Sequence, residues 1–131
     1  MVDDLPTPEE ILVAHERIEE AFDLKYKGTM KTAPKRKIRR EVLEPASEHD
    51  DVPHRAAELL WQLISLHVFE DANKRTAWTV TRDYLRENNI EPPKDDDINE
   101  YVVRRIGKFS TDELAAWLET GEIDESKLPE N

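Results

Sequence analysis

Residues 54–66, HRAAELLWQLISL, are the most apolar stretch of the chain. Apolar side chains cover nearly every side of a helix built from this stretch, which predicts a central, buried helix. That helix is expected to end near His67, and a second helix is expected to begin around Asn73 or Lys74. The inward residues of the second helix are predicted to be Ala77, Val80, Tyr84 and Leu85. These two helices and the short linker between them decide the fold.

Short polar signals predict further helices on both sides of this pair. An acidic residue follows a potential cap residue by three positions, the pattern of a helix start, in three places: Thr7 with Glu10, Asp97 with Glu100, and Ser110 with Glu113. Gly121 stands where a C-terminal cap glycine belongs. A short helix is also expected over residues 38–43, before Pro45 and after a loop over residues 25–36.

The chain shows no strand pattern, repeat or linker that would divide it. Its 131 residues suit one compact domain with one core. The sequence therefore predicts an all-α domain over residues 1–131, with about six helices and a flexible tail over residues 122–131.

Composition excludes several classes of protein. Apolar and charged residues each make up 37% of the chain, and no apolar run approaches the roughly 18 residues that span a bilayer. Cysteine is absent, which rules out disulfides and thiolate metal sites. The N-terminus lacks the basic start and apolar stretch of a signal peptide. We therefore expect a cytoplasmic protein that does not enter a membrane.

Charge is unevenly distributed along the chain. The net charge is -11, yet residues 25–40 hold eight basic side chains and no acidic one. An acidic surface repels nucleic acid, so direct DNA binding is not expected. The basic segment suits either an anionic partner or a solvated loop, and the sequence leaves both open.

Residues 67–75 combine side chains that suit phosphate chemistry. His67 can titrate near neutrality and take a proton from a hydroxyl. Asp71 offers the hard oxygen ligand that Mg²⁺ prefers. Asn73 is a candidate cap for the following helix, whose N-terminus favours an anion. Lys74 and Arg75 add a point charge and a two-pronged phosphate donor. Each residue alone has an ordinary structural explanation, but together they are the parts of phosphoryl transfer.

The stretch from His67 to Ala77, HVFEDANKRTA, resembles the signature of the Fic/Doc family, and specifically its Doc (death on curing) branch. The helix start at residues 7–10, the apolar helix before His67 and residues 83–89 also resemble the family, whereas residues 26–54 do not align. The resemblance implies an all-helical Fic fold, with the motif loop between two central helices.

The resemblance also implies a role for each motif residue. His67 would be the general base that activates a target hydroxyl, and Asp71 would help to bind Mg²⁺. The phosphates of ATP would be held by Asn73, Lys74 and Arg75 and by backbone N–H groups from Ala72 to Lys74. Phe69 would be structural.

Two positions distinguish the branches of the family. Members that transfer AMP usually have glycine at the position of Lys74 and a second arginine at the position of Trp78. The Doc branch instead moves the γ-phosphate of ATP to a serine or threonine of a protein, its recognised target being translation elongation factor Tu. The resemblance thus implies a protein kinase of Doc type, a toxin restrained by a cognate antitoxin, with elongation factor Tu or its archaeal equivalent as the target.

Three alternatives stay open at this point. The first is AMP transfer despite Lys74, and the second is a catalytically silent domain that only binds an antitoxin. The third is a metal-dependent phosphohydrolase that uses His49 and Asp50 together with His15 and His54, although a two-residue motif is weak support for it.

Overall fold

The computed structural model describes residues 5–22, 34–67 and 72–128, and the regular elements among these residues are all helices, with no strand. The helices are α1 (Pro8–Phe22), α2 (Pro34–Ile38), α3 (Glu44–Ser47), α4 (Val52–Leu66), α5 (Asn73–Glu87), α6 (Asp96–Arg104) and α7 (Thr111–Thr120). A π-helical turn, Arg39–Leu43, joins α2 to α3, so residues 34–47 form one continuous helical segment. Short 3-10 turns follow at Ile106–Lys108 and Glu125–Lys127. The six helical segments confirm the predicted all-α class.

The two central helices are α4 and α5, as predicted. α4 packs against α5 on one side and α7 on another, and α1 also contacts α5. The side chains that α4 buries are mainly aliphatic: Ala56, Ala57, Leu59, Leu60, Leu63 and Ile64. The predicted inward residues of α5 are all buried: Ala77, Val80, Tyr84 and Leu85. The loop that carries the motif therefore connects the two helices at the centre of the core.

Local capping chemistry explains most helix boundaries. Thr7 and Glu10 exchange two hydrogen bonds of 3.1 Å between the backbone of one and the side chain of the other. Ser110 and Glu113 do the same at the start of α7. Gly121 ends α7 with a left-handed φ of 80°, which glycine adopts without steric cost. All three caps were expected from the sequence and are confirmed.

The start of α6 differs from the prediction. Asp95, and not Asp97, is the cap: its carboxylate accepts hydrogen bonds from the backbone N–H groups of Asp97 and Ile98, and the helix begins at Asp96. Three consecutive aspartates offer three possible caps. The choice among them depends on which backbone is extended, and that is Asp95 with ψ of 101°.

The segment at residues 34–47 also corrects the sequence prediction. A helix was expected only over residues 38–43, but the helical path begins at Pro34 and continues through Pro45. A proline inside a helix lacks the N–H and crowds the carbonyl four residues earlier. Here the N–H of Glu44 bonds the carbonyl of Arg39, five residues back, and this wider turn directly before Pro45 lets the helix continue. The rest of the predicted loop, before residue 34, lies outside the described residues.

Basic side chains of this segment face solvent. The exposed ones are Lys35, Arg36, Lys37, Arg39 and Arg40, whereas Ile38 and Val42 point into the core. Lys35 Nζ lies 3.9 Å from Glu9 Oε1 of α1. The described part of the basic segment is therefore the outer side of a packed helix and not a loop.

The described part of the tail is in contact with α7. Lys127 Nζ donates to both carboxylate oxygens of Glu113, at 2.7 and 2.8 Å, and to the carbonyl of Lys108 at 3.1 Å. Lys127 thus connects the last 3-10 turn to Glu113, a residue of the capping box of α7. The flexibility of residues 122–131 as a whole stays a prediction. Among the described residues, no helix combines the length and apolarity needed to cross a bilayer.

A histidine bridge joins the first turns of α4 and α7. His54 Nδ1 lies 2.8 Å from Asp51 Oδ1, and His54 Nε2 lies 2.9 Å from Asp112 Oδ1. The hydrogen bond that His54 donates to Asp51 raises the pKa of His54. Burial lowers this pKa by less, and the hydrogen bond donated to Asp112 and the negative charges of both aspartates raise it further. The protonated imidazole is therefore the form that holds the two helices together.

This bridge predicts a pH dependence of stability. Because the folded pKa of His54 is raised, its contribution is complete below the unfolded value of about 6.5 and is lost as the pH rises through the folded pKa. The urea midpoint should therefore fall as the pH rises above about 6.5, by an amount that reflects about 0.2–1 kcal/mol per exposed pair. In a His54→Gln variant this fall should disappear. An unchanged pH profile in that variant would show that other groups cause it.

Candidate active site

Both ends of the motif loop have unusual backbone geometry. His67 caps the C-terminus of α4 with φ 50° and ψ 53°, and Ala72 precedes α5 with φ 61° and ψ 30°. Left-handed conformations are uncommon outside glycine and occur frequently at functional sites. The predicted roles of Phe69 and Asp71 fall on residues outside the described part of the chain.

A groove of about 990 Å³ lies between the motif and α6. The motif side consists of His67, Ala72, Asn73, Lys74, Arg75 and Trp78. The opposite side comes from α6 and the residue after it: Asp96, Asn99, Glu100, Val103, Arg104 and Arg105. All the predicted site residues that the structure describes therefore line one groove.

The groove carries positive charge on an acidic protein. Its lining holds four basic side chains, from Lys74, Arg75, Arg104 and Arg105, and two carboxylates. One of the carboxylates, Glu100, is paired with Arg104 at 2.9 Å. With His67 neutral, the lining is positive by two charges, whereas the chain as a whole carries -11. A ligand with several negative charges is therefore attracted here and repelled from most of the remaining surface.

The start of α5 adds to this attraction. The helix begins at Asn73. Its first turn contains no acidic residue and includes the two basic residues Lys74 and Arg75. The positive end of the helix dipole therefore faces the groove together with two cations. The expectation that Asn73 caps the helix is wrong, because Asn73 is the first helical residue and Ala72 occupies the cap position. The left-handed turn at Ala72, and not a side-chain cap, redirects the chain there.

One contact to the motif helix was missed at the sequence level. Thr76, inside the motif and almost completely buried, bonds His15 of α1 through its hydroxyl, with 2.8 Å between Oγ1 and Nδ1. The other ring nitrogen of His15 lies 3.4 Å from a Glu19 carboxylate oxygen. α1 thus positions the first turns of α5 through a buried polar contact, for which the only sequence signal was a histidine on an apolar helix stripe.

The histidines of the phosphohydrolase alternative have structural partners, and the rings of His49 and His54 stack on each other with 5.8 Å between centroids. His49 Nε2 lies 3.1 Å from Glu58 Oε1, His54 bridges two aspartates, and His15 bonds Thr76. Within residues 5–22, 34–67 and 72–128, no three histidines or carboxylates are grouped to hold a metal ion. The described residues therefore give this alternative no support.

Trp78 connects the groove to the core. Its ring stacks on that of Trp117 in α7, with 5.5 Å between centroids and 21° between planes. Trp117 is fully buried, whereas Trp78 is partly exposed and lines the groove. Trp78, one turn after Lys74, thus presents to the groove an aromatic ring that is packed on Trp117. It adds no positive charge to the groove.

Comparison with known proteins agrees with this arrangement. The model of the Fic/DOC family matches residues 5–85, which is more than half of the chain. No curated protein matches it. The family match includes α1, the motif and most of α5, and α6 and α7 follow beyond it. Together with an all-helical fold that puts the motif between two central helices, this match shows that the chain belongs to the Fic/DOC family.

Proposed function

We propose that this Fic/DOC protein is a Doc-like toxin that transfers the γ-phosphate of ATP to a serine or threonine hydroxyl of a protein target. The proposed target is a translation elongation factor, Tu or its archaeal equivalent, so that transfer inhibits translation. A cognate antitoxin would restrain the toxin. The cytoplasm, where translation occurs, is the proposed location.

The observation that carries this proposal is the pair Lys74 and Trp78 on the motif side of the groove. Lys74 is exposed in the first turn of α5, where members of the AMP-transferring branch usually have glycine. Trp78 packs on Trp117 where that branch usually has an arginine for the γ-phosphate. Compared with the glycine of that branch, Lys74 adds bulk and charge at one phosphate position. Compared with its arginine, Trp78 lacks the positive charge that would bind the γ-phosphate. Both changes disfavour the nucleotide orientation of AMP transfer and support the reversed orientation of the Doc branch.

The roles of the chain's own residues follow from this orientation. His67 would take the proton of the target hydroxyl while the new O–P bond forms and the bond to the ADP oxygen breaks. Lys74, Arg75 and the N-terminus of α5 would bind the phosphate oxygens. These groups are attached to the ends of the two central helices, which suits a reaction that depends mostly on positioning.

We propose that a magnesium ion binds together with the phosphates. Mg²⁺ sites commonly use one or two protein carboxylates together with phosphate oxygens. Asp71 is the proposed ligand. On the α6 side the groove is lined by the carboxylates of Asp96 and Glu100, of which Glu100 is paired with Arg104. When bound, the ion would neutralise charge on the transferred phosphate.

The decisive experiment uses ATP labelled at either the α- or the γ-phosphate. The protein is incubated with Mg²⁺ and a purified elongation factor, and label on the factor is measured. We expect label from γ-labelled ATP alone. Label from α-labelled ATP would show AMP transfer and overturn the choice of branch.

A Lys74→Gly, Trp78→Arg double variant is the matched control. These substitutions restore the side chains of the AMP-transferring branch at the two deciding positions. We expect the double variant to lose most of the γ-label transfer. If it transfers γ-label as fast as the wild type, these two positions do not determine the reaction.

A further inference from the structure

A basic face lies on the outer side of the helical segment at residues 34–47. It consists of five exposed cations: Lys35, Arg36, Lys37, Arg39 and Arg40. They form a concentration of positive charge on a chain whose net charge is -11. Ile38 and Val42 of the same segment are buried in the core. The cations are therefore presented by a packed helix.

Most of these cations have no carboxylate partner. Lys35 Nζ lies 3.9 Å from Glu9 Oε1, and both side chains are more than half exposed. The other four cations form no ion pair with the residues that the structure describes. Although the chain has 30 acidic residues, the described ones leave the basic face without direct compensation. Its charge is thus available to another molecule.

A pocket of about 360 Å³ lies beside the basic face. Arg39 lines this pocket, together with Leu43 and Ser47 of the same helical segment. Residues 5–9 complete the lining from the start of the chain, and Leu5 and Leu43 are partly buried against the core. A cation of the basic face therefore adjoins apolar surface, and one ligand can contact both.

Acidic side chains on a partner protein suit this combination. Three of the five cations are arginines, whose guanidinium groups bind a carboxylate through two parallel hydrogen bonds. Residues 35–40 extend over about 8 Å of helix, a length that several neighbouring carboxylates of one peptide segment can cover. An apolar side chain of the same segment would lose its contact with water against Leu5 and Leu43.

Nucleic acid suits the basic face less well. The exposed carboxylates of Glu9, Glu41 and Glu44 border the cations or the pocket, and they would repel a phosphate backbone that continued past the face. Residues 34–47 include no aromatic side chain on which a base could stack. A short acidic peptide segment, in contrast, can end where the cations end.

We propose that the basic face and its pocket bind an acidic segment of a partner protein. Carboxylates of the segment contact Arg36, Arg39 and Arg40, and one apolar side chain of the segment enters the pocket. The pocket shares no lining residue with the groove between the motif and α6. This binding requires no nucleotide, so it goes beyond the proposed function and does not depend on it.

The test measures the binding of a fluorescein-labelled peptide of glutamates with one central leucine, by fluorescence anisotropy. An Arg36→Glu, Arg40→Glu double variant should bind this peptide at least roughly tenfold more weakly than the wild type, because two attractions become repulsions. Replacing the leucine of the peptide with alanine should weaken its binding to the wild type by roughly fivefold, because less apolar surface is buried.

An Arg86→Glu, Lys94→Glu double variant is the matched control. It changes the net charge by the same amount, at two exposed cations outside the basic face, the pocket and the groove. This variant should bind the peptide like the wild type. Circular dichroism verifies that both double variants are folded.

Other outcomes would overturn the proposal. Equal weakening by the two double variants would show an effect of net charge alone. A single-stranded DNA oligonucleotide or phosphatidylserine vesicles might instead bind the wild type more tightly than the peptide and be lost with Arg36→Glu, Arg40→Glu; the basic face would then be a nucleic-acid or membrane surface. Equal binding of the leucine and alanine peptides would remove the pocket from the site. None of these results bears on γ-phosphate transfer, which is measured separately.

Discussion

Replacing His67 with asparagine is expected to reduce phosphate transfer by roughly 10²- to 10⁴-fold, the range that a positioned general base contributes. Asparagine is suited to this test because it tolerates the left-handed backbone of His67, with φ of 50°, better than most residues. The variant should therefore keep the turn at the end of α4 while losing the group that accepts the proton. Transfer of γ-label to the elongation factor is the measurement, with circular dichroism to confirm the fold.

His49 provides a matched control for this experiment. It is a partly exposed histidine that pairs with Glu58 and does not line the groove. His49→Asn should transfer phosphate like the wild type. In cells, His67→Asn should remove toxicity and His49→Asn should keep it. A His67→Asn protein that stayed as toxic as the wild type would contradict a catalytic role and favour a domain that acts by binding alone.

Replacing Trp117 with alanine is expected to lower the free energy of unfolding by about 3–5 kcal/mol. Trp117 is fully buried in α7, which packs on the central helix α4, and its ring stacks on Trp78. The lost side chain would leave a cavity that surrounding helices cannot fill completely. Since small domains have a total stability of about 5–15 kcal/mol, this single change should bring the protein close to unfolding. Urea denaturation followed by circular dichroism measures the effect.

A Trp117→Phe variant separates packing from hydrogen bonding. Trp117 Nε1 has no hydrogen-bond partner among the described residues, so phenylalanine removes volume without breaking a bond. We expect a clearly smaller loss of stability than for alanine. If Trp117→Ala unfolded at the same urea concentration as the wild type, the packing of α7 on α4 would contribute little to the stability of the fold.

The parts of this fold that sequence predicts are those set by near neighbours in the chain. Thr7 with Glu10 and Ser110 with Glu113 form their caps within one helical turn, and those helix starts are confirmed. The central helices could be predicted because α4 is apolar on nearly every side and the inward residues of α5 recur at helical spacing, and both helices are confirmed. Pro45 was misleading, since its effect depends on a wider turn that forms just before it.

The parts that sequence does not predict depend on contacts between distant residues. Arg55 is buried because its Nε donates to the carbonyl of His49, which no periodicity indicates. Asn99 reaches the groove only because α6 folds back beside the start of α5. The motif half of the site was visible as a string of residues, whereas the α6 half has no local signature apart from the pair Arg104 and Arg105.

The left-handed backbone at His67 and Ala72 limits which sequences can occupy these two sites. Valine or isoleucine would be excluded at either position by backbone sterics alone, whatever their chemistry. Glycine or asparagine would be compatible with both. In a saturation mutagenesis of the motif, low tolerance at Ala72 would therefore report geometry, whereas low tolerance at Lys74 or Arg75, in ordinary helical backbone, would report charge. At His67 the two causes overlap, and only substitutions that accept a positive φ can separate them.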